Sequence, residues 1–328
     1  MKSGRAETML LALAVDSLVG ELPTCCHPVV GMGRLIDLAR RYAPRTDRRS
    51  QLAYGALISV GGAGMILAVG SLLDRVIQRL PRALARFAEA IALKTTFSVS
   101  RLEDAAHEVS AALEANDLPA ARRVVACHLV SRDTTDLDAS LVAAAAIESV
   151  AENTSDSAVA PLLFYAIGGL PAALTYRFIN TADAMLGYRD PEHEWLGKVP
   201  ARLDDAVNWL PARFSAAMIC VAAFLLGGDG RRAARIWQRD ASKTASPNAG
   251  HPMSAAAGAL GVQLEKVGHY RLGEGLRRPE PSDIWRGTRL MRAAVGLAVG
   301  LLAVWLFSRE AKGAHPATKG SRSVEHHS

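Results

Sequence analysis

Glu148, Glu152 and Asp156 recur at every fourth position in an otherwise apolar chain, with Asn153 beside them. On a continuous helix this spacing places the three carboxylates along one slowly turning stripe. The stripe ends directly against Ala158-Val159-Ala160-Pro161, where a carboxylate is costly unless it is paired, hydrated or holding a cation. Such a row suits Mg²⁺ carried on phosphate oxygens, or the ammonium of an amine substrate. The alternatives are a solvated helix face at a membrane boundary, or ion pairs to Arg132 and Arg202.

A second group follows in Arg202, Asp204, Asp205, Asn208 and Arg213. If Arg202 to Leu210 is helical, Asp204 and Asn208 share a face while Asp205 points about 100° away. The adjacent acids then have different tasks, one on a metal and one on an arginine. Arg202 and Arg213 offer paired donors to phosphate oxygens, with a membrane-edge salt-bridge cluster as the alternative. Asn180 and Asp183 lie at i and i+3 and reach the same pocket, unless Asn180 caps a helix end.

Glu148, Glu152, Asp205 and His27 are the candidate acid–base groups, and Glu152, Asp156, Asp183 and Asp204 the candidate metal ligands. Arg132 and Asp133 either touch substrate or form a structural pair or helix start. Asn153, Asn180 and Asn208 are placed with the substrate. His27 before Pro28 is a base, a ligand-binding group or a turn residue. Asn248 and His251 flank Gly250 in a loop whose amides could cradle phosphate. Asp16, inside the first apolar run, calls for a polar partner elsewhere in the bundle.

The elements that must carry these groups are largely membrane-like. The chain has 328 residues, of which 50% are apolar and only 5% aromatic, and its mean hydropathy is positive. Leu52 to Leu73 and Ser157 to Tyr176 are uncharged and long enough to span a bilayer. Thr8 to Leu22, Phe214 to Gly228 and Ala293 to Phe307 are shorter candidates, giving roughly five helices. Lys2 and Arg5 precede the first run, but no small-residue cleavage site follows, so a retained helix is expected. Arg101 to Asp156 reads as helices through Leu102, Ala106, Val109 and Leu113; Gly228 to Thr288 reads as loop and short helices. No period-two run, phosphate loop or repeat is present.

The net charge of +6 is concentrated in two knots, Arg40 to Arg49 and Arg231 to Lys243. Both lie beside apolar segments, which points to anionic lipid headgroups; no stacking aromatics accompany them, so nucleic acid is not an expected partner. Cys25, Cys26, Cys127 and Cys220 show neither metal-ligand spacing nor a secreted disulfide pattern. The expected fold is all-α, a polytopic integral membrane bundle forming one domain over 1–308. Polar blocks at about 94–157 and 229–288 carry the site. A polar, disordered tail over 309–328 includes His326 and His327 and is given no chemistry.

The sequence resembles the cobinamide-phosphate synthase family of cobalamin biosynthesis, the CobD/CbiB type, from about Asp16 to Pro281. The resemblance is carried by Asp16 with Gly20, Pro23, His27-Pro28-Val29 and Gly33; by Ser131-Arg132-Asp133-Thr134; and by Glu148 through Asp156 with Ala160-Pro161-Leu162. It continues through Gly169-Leu170-Pro171, Asn180-Thr181-Ala182-Asp183, Gly187-Tyr188, Ala201 to Asp205 with Asn208, Pro211-Ala212-Arg213 and Ser246 to Met253. One departure is Gly20-Glu21-Leu22-Pro23, where the family usually reads Gly-Asp-Pro.

The resemblance implies a multi-pass enzyme of the inner membrane with its site facing the cytoplasm. It would join aminopropanol phosphate, aminopropanol or ethanolamine phosphate to a propionate carboxylate of adenosylcobyric acid, a corrinoid substrate, through an amide. A carboxylate does not condense with an amine at neutral pH unless its oxygen becomes a leaving group. ATP and Mg²⁺ are therefore expected, with an acyl phosphate as the simplest intermediate. Membrane lipids, later cobalamin-assembly membrane enzymes and a second copy of the chain are the expected partners. An ion-coupled transporter would also place acids and helix breaks in a membrane, but would predict inverted repeats. A non-catalytic scaffold for corrinoid enzymes would tolerate loss of Glu148, Arg202 and Asp204.

Topology poses a conflict. If the arginine knots are both cytoplasmic and Phe214 to Gly228 crosses, the Asn180 to Arg213 motifs fall on the far side from ATP. Either a short segment does not cross, or the motifs fold back into a cytoplasm-facing cavity. Gly168-Gly169-Leu170-Pro171 offers a break for such a fold-back.

Overall fold

The computed structural model describes residues 4–20, 27–44, 47–130, 132–187 and 194–313. The Glu21 to Pro23 turn, Cys25, Cys26, Ser131, Tyr188 and the tail from 314, with His326 and His327, lie outside them. The described residues form helices joined by turns and loops, with one small hairpin. In chain order the helices are α1 (Arg5–Val19), α2 (Pro28–Arg41), α3 (Arg48–Ala56), α4 (Gly62–Ile77), α5 (Arg82–Lys94), α6 (Ser100–Glu114), α7 (Leu118–His128), α8 (Ala139–Asn153) and α9 (Ala160–Gly168). They continue with α10 (Leu170–Leu186), α11 (Lys198–Val207), α12 (Trp209–Leu225), α13 (Gly230–Asp240), α14 (Gly250–Leu260) and α15 (Pro281–Gly313).

The core element is α8. Asp138 caps it by accepting the Leu141 N–H at 2.9 Å, satisfying one of the unpaired donors of a helix start. Every side chain from Val142 to Ala151 is buried, and the run of alanines lets neighbouring helices approach closely. At Thr154–Val159 the helix widens into a π-helical turn before continuing as α9. Asn153 braces this turn: its Nδ2 donates to the Ser149 carbonyl at 2.9 Å, and its Oδ1 accepts from Ser157 Oγ at 2.7 Å. The acidic stripe is therefore not on one regular α-helix. An i, i+4 pair in an α-helix advances by about 40° around the axis, and the wider π turn works against that drift for Asp156.

Ser157 to Tyr176 is not a single span. Gly169 sits at φ 73°, a left-handed conformation that glycine adopts without steric cost, and it ends α9 and turns the chain into α10. The two short apolar helices form a largely buried hairpin, and the expected break at Gly168 to Pro171 is present. Among the described residues two helices are long and apolar enough to cross a membrane: Arg48–Ile77, which runs through a π turn at Leu57–Gly61, and Pro281–Lys312; α11 and α12, bent by 47°, would make a third if they act as one span. Against the expected five or so spans, length and composition give two or three among the described residues. The Arg48–Ile77 helix exposes Leu57, Val60, Val69 and Leu72, an apolar face suited to lipid. The last helix extends through Gly313, past the expected boundary of the tail at 309.

Close approaches fix the directions. Gly70 lies against Pro171, Gly62 against Phe178 and Gly55 against the Leu196 carbonyl, so α10 runs antiparallel to α3 and α4. At Gly62 an added Cβ would lie 2.3 Å from the Phe178 ring. The final helix starts near α8, where Ser140 Oγ donates to the Pro279 carbonyl at 2.9 Å, and ends near Gly4, whose N–H donates to Glu310 at 3.1 Å. Both long helices therefore run in the same direction, from the polar blocks toward the Gly4 and Gly169 end.

At α13 the chain turns back toward the earlier motifs. This arginine-rich helix starts against Cys220 and Phe224 of α12 and folds back along it. Asn248 Nδ2 consequently donates to the Asp205 carbonyl at 2.8 Å. The Asn180 to Arg213 motifs and the Ser246 to Met253 motif are on the same side.

A short hairpin, β1 (Leu264–Lys266) with β2 (Tyr270–Leu272), is the one strand pair among the described residues, beside an isolated bridge between Val262 and Arg277. Three-residue strands are too short to leave a period-two signal. Asp16 finds a partner that no motif suggested: its Oδ1 lies 3.0 Å from Lys94 Nζ, with both side chains buried, and Ser100 donates to Oδ2 through its N–H at 3.1 Å and its Oγ at 3.0 Å. This ion pair fastens α1 to α5 and α6.

Candidate active site

A cavity of about 830 Å³ opens between the α8–π-turn rod, α10, α11, the 244–249 loop and the hairpin. Glu152, Asn153, Asp156, Asn180, Asp183, Asp204, Asp205, Asn208 and Asn248 all line it. The acids come from three chain segments that meet only in the folded state.

The asparagines chiefly fasten this frame. Asn153 spans the π turn, and Asn180 Nδ2 donates to Asp204 Oδ1 at 3.3 Å. Asn208 Oδ1 accepts the buried Tyr176 hydroxyl at 2.7 Å, joining the α11–α12 bend to α10. Asn248 holds the 244–249 loop against the Asp205 carbonyl. These contacts are with the elements that present the acids, and all four asparagines line the cavity.

The other candidates lie outside the cavity lining. Glu148 is buried one turn before Glu152, where its Oε2 accepts from Arg132 Nη2 at 3.1 Å; the ion-pair alternative holds for this residue. Asp133 is exposed and accepts from Thr135 in its own turn at 2.9 Å and 2.5 Å, so it does not pair with Arg132. Arg202 is largely exposed and 3.7 Å from Asp205. The adjacent acids do differ: Asp204 is buried, while Asp205 is half-buried beside this arginine. Arg213 stacks over Trp209, donates to the Trp209 carbonyl at 2.8 Å and lies 3.4 Å from Asn248 Oδ1. His251 Nδ1 accepts from Trp237 Nε1 at 2.8 Å, and burial holds its pKa below the usual imidazole value. His27 is the N-cap of α2.

Lys266 and Tyr270 of the hairpin also line the cavity and were not singled out by the sequence. Lys266 is the one lysine or arginine among the described lining residues.

Packing this many carboxylates together raises their proton affinity. Burial, then the negative charges of Asp204, Asp205 and Glu152, push Asp183 up to about 7. Burial raises Glu152, aided by Asp204 and opposed by Lys266. Asp156 is held well above the ordinary range by burial, Asp204 and Glu152. Burial lifts Glu148 to about 7 against the opposing charge of Arg132. Among the described residues no three His, Cys, Asp or Glu side chains converge as a ready-made ion site. The donor set fits Mg²⁺ that keeps water and phosphate ligands and takes one or two carboxylates from the protein.

A stability consequence follows for Asp183. Its folded pKa lies above the unfolded value, so its contribution favours the folded chain below about pH 4 and is lost as pH rises through about 7. Melting curves of the wild type and Asp183→Asn should therefore diverge between pH 4 and 8, with the wild type losing relative stability as pH rises. A difference independent of pH would contradict the raised pKa.

The family model described as CobD/Cbib protein matches residues 9–295. A cobalamin biosynthesis protein CobD of Dehalococcoides mccartyi (strain CBDB1) is 42% identical over 275 residues, covering 84% of this chain and 89% of that protein. One of Geobacter metallireducens is 38% identical over 310 residues, covering 90% and 95%. The cobalamin biosynthesis protein CbiB of Salmonella typhimurium is 37% identical over 305 residues, covering 89% and 94%. No solved structure matches the chain.

Proposed function

Because this chain belongs to the CobD/CbiB protein family, we propose that it is an adenosylcobinamide-phosphate synthase, forming an amide between a propionate of adenosylcobyric acid and aminopropanol phosphate or a related amino alcohol. The observation that carries this reading is the gathering of Glu152, Asp156, Asp183, Asp204 and Asp205 in one cavity, on motifs shared with a family whose relatives are named for cobalamin biosynthesis.

The reaction has two stages. A propionate oxygen attacks the γ-phosphorus of ATP, and ADP leaves. The amine nitrogen then attacks the acyl carbon, the C–O bond to phosphate breaks, and inorganic phosphate departs. The amine arrives as an ammonium and must lose a proton before it attacks. A carboxylate with a pKa near 7, as at Asp183, can hold the ammonium when ionised and accept its proton. One or two of Glu152, Asp156 and Asp204 would hold Mg²⁺, which would neutralise phosphate charge during phosphoryl transfer. Glu148 and Arg132 act from behind this wall by fixing α8 against the 132 turn.

The site lies toward the starts of both long helices, with all polar motifs on one side. That arrangement supports a multi-pass protein whose cavity faces the cytoplasmic pools of ATP and corrinoid. The test is a product assay on detergent-purified protein given adenosylcobyric acid, Mg²⁺-ATP and aminopropanol phosphate. An ATP-dependent mass gain matching one amide is expected; absence of product from folded protein with every amine tried would remove the reading.

A further inference from the structure

Each arginine expected to hold phosphate is engaged elsewhere: Arg132 with Glu148, Arg202 with Asp205, and Arg213 with Trp209 and Asn248. Lys266 is different. It is half-buried, it lines the cavity, and its ammonium makes no hydrogen bond or ion pair among the described residues. Its charge is nevertheless felt at Glu148 and Glu152, whose proton affinities it lowers. Lys266 and Tyr270 are directly paired across the hairpin, so both side chains leave the same face. The outer neighbours Glu265 and Arg271 satisfy one another at 2.7 Å on the other face, leaving Lys266 as the hairpin's cation toward the cavity. The cavity is thus polarised, with five carboxylates on the helical wall and one ammonium on the hairpin wall.

Resting on the amide-forming reading above, we propose that Lys266 is the specificity-determining residue of this cavity. Its ammonium takes the phosphate of a short phosphorylated amine, whose own ammonium faces the carboxylates. A ligand positive at one end and negative at the other matches both walls; an unphosphorylated amino alcohol leaves Lys266 without an anion. The nucleotide is the other source of phosphate oxygens, and the experiment separates the two.

The synthase reaction of Lys266→Met and Lys266→Arg would be followed with aminopropanol phosphate and with unphosphorylated aminopropanol, while binding of each amine without ATP is measured by calorimetry. Loss of one charge-assisted hydrogen bond predicts a rise of about 10–100-fold in KM and in Kd for the phosphorylated amine in Lys266→Met. The values for unphosphorylated aminopropanol and for Mg²⁺-ATP should stay within about two-fold, and Lys266→Arg should recover part of the loss. Equal losses for both amines, or a change confined to the KM of Mg²⁺-ATP, would overturn the assignment. If the wild type forms no amide, the reaction itself is misread, and the calorimetric comparison still decides whether Lys266 holds the phosphate.

Discussion

Glu152→Gln is expected to slow amide formation by about 10²–10³-fold, the range for losing one group that stabilises transition-state charge, here a carboxylate that would hold Mg²⁺. The substitution keeps the shape of the side chain and removes its charge. Glu152 lines the cavity and repels Glu148, Asp156 and Asp183, so its loss acts beyond its own position. With that repulsion gone, Asp183 and Asp156 give up protons more readily, and the acid limb of any residual rate should move to lower pH. Rate measured against pH, beside a melting curve to verify folding, checks both parts. A folded variant with near-wild-type turnover would place the chemistry elsewhere.

The largest stability effect is expected far from the cavity, at Lys94. Lys94→Met leaves Asp16 as a buried carboxylate with its charge uncompensated, at a cost of about 3–5 kcal/mol. Adding Asp16→Leu removes that charge and should restore most of the loss, because a packed apolar pair often replaces a buried ion pair without penalty. Denaturant melts in detergent would show the single variant well below both the wild type and the double variant. If the double variant were no more stable than the single, Lys94 would act through its own packing and not through Asp16.

What the sequence made legible was determined by residue type and local spacing. Carboxylates at i, i+4 and i+8 beside an apolar run had to be accounted for, and the structure brings Glu152 and Asp156 to the cavity with Asp183 and Asp204. Helical content and the bilayer-length run around Leu52 to Leu73 were visible for the same reason. The role of each arginine was not, because Arg132, Arg202 and Arg213 differ in exposure and partner only after the chain has folded. Ser157 to Tyr176 read as a span because hydropathy does not register that Gly169 sits in the left-handed region. Lys266 went unnoticed because three-residue strands carry no detectable period.

The π turn at Thr154–Val159 is equivalent to one residue more than an α-helix would use over the same length. Glu152 precedes that surplus residue, and Ala160 to Gly168 follow it. Loss of a single residue from the turn would leave the hydropathy profile almost unchanged, yet would rotate everything after it by about 100° relative to α8. The acids would then be split between the cavity and the packed core. For this rod, an alignment gap is a more severe change than many substitutions, and the length of the Glu152 to Ala160 segment is itself a heritable part of the site.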